Sequence, residues 1–267
     1  MTGLADTGPG TVGPALAALV AAAALVYVAL RRLRAPARRL DLIDAILAVS
    51  LLLWLSSAGL AVAAVALGQP ELLEQPPLAV ALGATATGGL VAAAWTLLRA
   101  GRAGEMAVLG LWWGRLGTWL LAPAMLPVFL LLSAGWVTLL RALHLPVARQ
   151  IILDEVLGDP QAAAAWVTVG YGVLVAPVVE EIIFRGILLV PLNRRLGPAA
   201  AVAISSLAFG LMHVADPASV VPLALLGALL AMLRLRDGSL GPPILLHVLN
   251  NAVAFGLALA GQSLGSS

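Results

Sequence analysis

Ala176-Pro177-Val178-Val179-Glu180-Glu181-Ile182-Ile183-Phe184-Arg185 sets two carboxylates and a guanidinium inside a stretch that is otherwise membrane-like. From Gly172 to Val190 no other residue is charged, and nearly all the rest are Val, Ile, Leu, Ala or Gly. A charge in hydrocarbon costs at least about 2.5–3.5 kcal/mol on insertion scales. Three charges within one and a half helical turns therefore demand partners and a task. The placement points to chemistry carried out inside a bilayer.

The surrounding chain has the matching character. Its 267 residues are 61% hydrophobic and 10% charged, where soluble domains carry about 25% charged residues. The fold class expected is all-α, a polytopic membrane protein. Cysteine is absent, which excludes disulfides, thiolate metal sites and a Cys nucleophile. All fifteen basic residues are Arg; with abundant Ala, Gly and Pro, this reflects genome composition and hints at a bacterial cytoplasmic membrane. The net charge of +2 does not indicate nucleic acid. The Arg residues lie in short clusters between apolar runs, where the positive-inside rule accounts for them.

A span needs about 20 apolar residues. Eight runs qualify, at about 14–30, 43–67, 78–98, 117–140, 164–190, 198–214, 218–233 and 240–262. The first has its basic residues after it, unlike a signal peptide, and is expected to be retained. Arg31, Arg32, Arg34, Arg38, Arg39, Arg99, Arg102, Arg194, Arg195, Arg234 and Arg236 follow runs one, three, five and seven. Those loops then share the cytoplasmic side, and both termini face outward. Trp112, Trp113, Arg115 and Trp119 suggest an interfacial helix leading into run four. Leu143–Pro160 suggests an external amphipathic connector in which His144 is solvated. The chain divides into residues 1–163, N-terminal membrane helices and connector, and 164–267, a C-terminal catalytic unit.

The first unit offers no constellation for chemistry. Asp41 and Asp44 fit the first turn of helix two, where acids are favoured. The second unit has polar groups on three runs. Glu181 and Arg185 are i and i+4 and can pair on one face, while Glu180 points about 100° away. Pro177 removes a backbone hydrogen bond beside them. Phe209 and His213 are one turn apart near the end of run six. His247 and Asn251 share a face of run eight, with Asn250 off that face as a packing residue. Taken singly, each has a plainer role: a Glu–Arg pair gluing helices, a capping His, an Asn joining spans. Their depth links them. Glu180 lies fourteen residues before the 194–197 turn and His213 fourteen after Ala199, each about 21 Å from it at 1.5 Å per residue.

An acid, two imidazoles and an amide among apolar walls suit hydrolysis. A desolvated carboxylate and a His can take a proton from water. A second His and an Asn can donate to the oxyanion, a contribution of about 3–4 kcal/mol per donor in proteases. No Gly-x-Ser-x-Gly elbow occurs, and Ser206 is two turns from His213. Glu180, His213 and His247 would also supply a two-His-one-carboxylate set for a divalent metal such as zinc, although His-Glu-x-x-His is missing. Spacing leaves the metal and metal-free forms open, and a bound cofactor is not favoured.

Glu-Glu-x-x-x-Arg at 180–185, Phe-x-x-x-His at 209–213 and His-x-x-x-Asn at 247–251, in this order on late helices, resemble the CPBP intramembrane proteases. That family groups type II CAAX prenyl endopeptidases with bacteriocin-processing and bacteriocin-immunity membrane proteins. The resemblance covers roughly 165–262. It implies an intramembrane endopeptidase with Glu180 and His213 activating water and His247 with Asn251 forming the oxyanion site. It further implies supporting roles for Glu181 and Arg185, and Phe209 lining the pocket. The substrate would be a peptide or membrane-protein segment, presented in the lipid bilayer. Two other functions fit buried polar groups: a transporter or proton relay, and a non-catalytic immunity-type scaffold. Transporters commonly show inverted repeats, whereas here the polar groups fall in one half.

Overall fold

The computed structural model of the chain describes residues 12–35, 39–69, 71, 78–147, 163–214 and 216–265. Among the described residues, eight helices fall on the eight apolar runs. They are α1 (Val12–Arg34), α2 (Leu42–Leu67), α3 (Leu78–Arg102), α4 (Leu116–Ala142), α5 (163–196), α6 (Pro198–Leu211), α7 (Pro217–Asp237) and α8 (Gly241–Gly265). No strand occurs among the described residues. By length and composition four helices can cross a membrane: α2 over Leu42–Ala61, α4, α7, and α8 over Gly241–Ala260. These make the chain an integral membrane protein.

Three expectations need correction or limits. Helix α6 stops at Leu211, not 214, because the N–H groups of His213 and Val214 bond three residues back, to Gly210 and Leu211. Its 14 residues reach about 21 Å at 1.5 Å per residue, short of the roughly 30 Å hydrocarbon layer. The Trp112–Trp119 segment is not an interfacial helix. A 3₁₀ turn at Met106–Leu109 gives way to an irregular stretch, where Gly110 (φ 75°) and Gly114 (φ 71°) adopt left-handed conformations that a helix excludes. Of the connector, residues 148–162 lie outside the described residues; His144, just after α4, is exposed with φ 55°.

Helix α5 is the axis of the bundle. Its residues from Glu181 to Leu189 are all buried, so its apolar composition runs round the helix instead of along one stripe. Leu47, Leu51, Leu52, Ala92 and Trp95 of α2 and α3 pack on it with Leu109, Phe209 and Leu240. Lipid gives little hydrophobic drive between helices, so close approach depends on small residues. A Cβ on Gly88 of α3 would lie 2.3 Å from Ser56 Oγ of α2. Across the bundle, a Cβ on Gly210 of α6 would lie 2.5 Å from the Val220 carbonyl of α7.

The Arg-bearing loops gather at one end, consistent with their sharing one side of the membrane. Asp41 caps α2, its Oδ1 accepting from the N–H groups of Ile43 and Asp44. Asp44 does more than begin that helix. Fully buried, its Oδ1 accepts from Arg32 Nε of α1 at 3.1 Å and Arg99 Nε of α3 at 3.0 Å. Arg194 donates to Glu105 at 2.9 Å, and Glu105 also accepts from the Leu40 N–H. The loop after α7 joins through Leu240 N–H, which donates to the Gly110 carbonyl at 2.8 Å.

Asp44→Ala strips two guanidinium groups of their shared buried partner. It should cost about 3–5 kcal/mol, read as a lowered thermal midpoint in detergent. Asp41 has a pH signature. Burial pushes its carboxyl up, but the Arg32 guanidinium and the Asp44 and Ile43 N–H groups outweigh that and hold it below the ordinary range. Such a carboxyl adds stability above its unfolded value near about 3.9 and loses it as pH falls through the lower folded value. Asp41→Asn should therefore flatten the acid limb of stability against pH.

Candidate active site

Two interruptions shape α5 around its acids. The helix runs Ala163–Gly170, then a π turn Tyr171–Val175, then α-helical Ala176–Glu181, a second π turn Ile182–Leu188, and Leu189–Leu196. Single π turns inside α-helices frequently accompany functional sites. At the first, the Ala176 N–H donates to Tyr171 O, five residues back. This takes away the donor that Gly172 O would have in an α-helix, and the next residue, Pro177, has no N–H. Asn251 of α8 supplies the missing partner: its Nδ2 donates to Gly172 O at 2.7 Å. Gly172 permits the approach, since a Cβ there would lie 2.9 Å from the Phe255 ring.

Between the two π turns, the adjacent acids have opposite surroundings. Glu181 is fully buried, whereas the Glu180 side chain is 25% exposed. Glu181 Oε1 accepts from Arg185 Nη1 at 2.8 Å, as the i, i+4 spacing predicts, and lies 3.1 Å from His247 Nδ1. Arg185, also fully buried, donates Nη2 to the Gly227 carbonyl of α7 at 3.1 Å. Its guanidinium stands 4.5 Å from the Phe209 ring centroid, a cation–π contact. Gly227 gives this group room, because a Cβ there would be 3.4 Å from Arg185 Nη2.

An ionised carboxylate only accepts, so His247 carries a proton on Nδ1 when bonded to Glu181. Its Nε2 then faces Glu180 Oε2 at 3.7 Å. His213 sits in the turn after α6, with Nδ1 3.1 Å from the Phe209 carbonyl. A carbonyl likewise only accepts, so this proton is also on Nδ1 and Nε2 is a free acceptor. The Phe209 ring lies between the two imidazoles, 5.5 Å from each ring centroid, and meets Phe184 edge-on at 5.3 Å.

The structure thus joins Glu180, Glu181, Arg185, Phe209 and His247 directly, and His213 through Phe209. Asn251 is turned onto the main chain of α5, with one N–H committed there. Sequence reasoning set Asn250 aside as packing, yet its Nδ2 donates to Asn251 Oδ1 at 3.1 Å and fixes which way that amide faces. The adjacency of the two amides was the available signal. Gly172 and Gly227 gave none, since each acts through a backbone carbonyl.

Glu180, His213 and His247 are the residues that a divalent metal would need, if one were bound. Among the described residues, no three His, Asp or Glu side chains come together so as to hold an ion. Glu180, His213 and His247 are not gathered as a metal would require in this arrangement.

The four helices that build this site, α5 to α8, are also where a family model matches the chain. Residues 162–253 match the family model of Rce1-like type II CAAX prenyl endopeptidases. The resemblance noted from three short motifs is therefore to this family. The Rce1-like segment contains all seven residues singled out above, and it supports a CAAX-protease type of intramembrane endopeptidase in general. No curated protein and no solved structure matches the chain.

Arg185→Met leaves the Glu181 carboxylate buried without its cation. A loss of about 3–5 kcal/mol is expected, measured by thermal unfolding in detergent. Adding Glu181→Gln to that variant should recover a large part of the loss, because the uncompensated charge is then gone. Additive losses would mean that the two side chains are not coupled.

Proposed function

We propose that the chain is an intramembrane endopeptidase in which Glu180 activates the attacking water and His213 orients it. The observation that carries this reading is the contrast between adjacent carboxylates. Glu181 is fully buried and held on Oε1 by both Arg185 and His247, while Glu180 is part-exposed and meets His247 Nε2 at the longer distance of 3.7 Å. Paired acids with different environments are how one site divides supporting and proton-transferring roles.

In the proposed reaction, water is held between the Glu180 carboxylate and His213 Nε2, both acceptors. Glu180 takes one proton as the water oxygen bonds to the scissile carbonyl carbon. The resulting oxyanion accepts from His247 Nε2–H, a donor in the doubly protonated ring, and from the second N–H of Asn251. Collapse breaks the C–N bond, and the Glu180 proton passes to the departing amine. Products are a carboxylic acid and an amine, and the remaining proton passes between them to leave a carboxylate and an ammonium. The substrate class is a peptide or a membrane-protein segment able to enter apolar surroundings, in a bacterial cytoplasmic membrane.

The test is cleavage of a peptide library by the protein purified into nanodiscs. Glu180→Gln and His213→Ala should each lower kcat by about 10²–10⁴-fold without lowering the thermal midpoint. Full cleavage by both variants would overturn the mechanism. Strong chelation run alongside separates the two chemistries: unaffected cleavage supports direct activation by Glu180, whereas activity lost and then restored by zinc assigns the water to a metal.

A further inference from the structure

The second π turn also leaves a main-chain carbonyl without its helical donor. The Leu189 N–H reaches five residues back to Phe184 O, so Arg185 O loses the partner it would have in an α-helix. Arg234 of α7 stands there. Its Nε lies 3.3 Å from Arg185 O, and its Nη2 donates to Val108 O in the 3₁₀ turn. Arg234 is 6% exposed. The nearby Asp237 carboxylate is occupied elsewhere, accepting from the N–H groups of Arg115 and Ser239. The guanidinium lies in a built slot. A Cβ on Gly110 would come within 2.9 Å of Arg234 Cζ, and one on Gly238 within 3.4 Å of Nη1.

The residue whose carbonyl Arg234 holds is the one whose side chain holds Glu181. We infer that Arg234 is a positioning residue for the acid pair. It fixes the main chain of Arg185, and through the Arg185 side chain it sets Glu181 and the His247 ring on Glu181 Oε1. It is the counterpart of Asn251, which closes the first π turn. The two turns flanking Glu180 and Glu181 are thus each completed by a side chain from another helix. A fork donor is required, since two carbonyls on separate elements are bridged by one rigid group; a Lys ammonium has neither the planarity nor the reach. The catalytic consequence rests on the reading of the preceding subsection; the geometric one does not.

Arg234→Lys and Arg234→Met test it in nanodiscs with two readouts. In the peptide assay, kcat should fall about tenfold to a hundredfold, the scale of a displacement near 1 Å, with KM changed less than about twofold. In ¹⁵N-His spectra, simplified because the chain has only three His residues, the His247 ring signals should shift and their pH titration should move. The His144 signals should stay. Unchanged His247 signals and unchanged kcat would overturn the inference. So would unfolding of both variants, because Arg234 would then hold the fold and not the pair. If the wild type cleaves no peptide, the protease reading fails, while the His247 spectra still decide the role of Arg234.

Discussion

The buried Glu181–Arg185 pair constrains everything near it. A carboxylate and a guanidinium out of water are stable together only when geometry and additional hydrogen bonds compensate for lost hydration. Arg185 can pair with Glu181 along its own helix, and further contacts to the pair come from other helices. His247 of α8 meets the carboxylate, and the Gly227 carbonyl of α7 and the Phe209 ring of α6 meet the guanidinium. These contacts draw three helices onto α5 and require small residues where they cross. Gly227 and Gly210 serve that need on the α6–α7 side. Glu180, one residue away, touches this network through His247 Nε2 at 3.7 Å and stays 25% exposed.

Backbone hydrogen bonding in lipid is the second constraint. Every carbonyl in a membrane span needs a donor, because water is not there to supply one. A π turn deprives one carbonyl of its helical partner. The chain tolerates two such turns in α5 by donating side-chain groups from α7 and α8, Arg234 to Arg185 and Asn251 to Gly172. The same residues that permit the irregular helix also fix its angle around the acids. Local distortion and site geometry are thus one arrangement.

The first half of the chain takes part in this without bearing chemistry. Helices α2 and α3 cover the apolar flank of α5 and are tied at one end by Asp44, which α1 and α3 both reach with Arg side chains. Glu105 and Arg194 link the end of α5 to the loop after α3. The basic residues that satisfy the positive-inside bias therefore also lock helix ends together. Their cost of burial is met by shared carboxylates instead of by water.

Periodicity and composition settled the all-helical class and the approximate limits of the described helices, because a run of about 20 apolar residues has no other stable form in lipid. Of the eight expected spans, four described helices are long and apolar enough to cross. Motif spacing predicted the Glu181–Arg185 pair, since i and i+4 always meet on a regular helix. It also indicated that residues from three helices share one site, through their common distance from the loops. Spacing could not supply what depends on crossing helices. The assignment of His247 to Glu181, the turn of Asn251 toward Gly172, the part of Asn250 and the closure by Arg234 all involve residues from about 50 to 80 positions apart or a choice of amide direction. Two of those bonds end on main-chain carbonyls, which every residue carries and no sequence pattern marks. The end of α6 at Leu211, where the N–H groups turn to carbonyls three residues back, and the left-handed Gly110 and Gly114 of the irregular 110–115 stretch were likewise outside the reach of spacing. Local sequence fixed which groups are costly to bury, and the tertiary structure decided which partners make that burial possible.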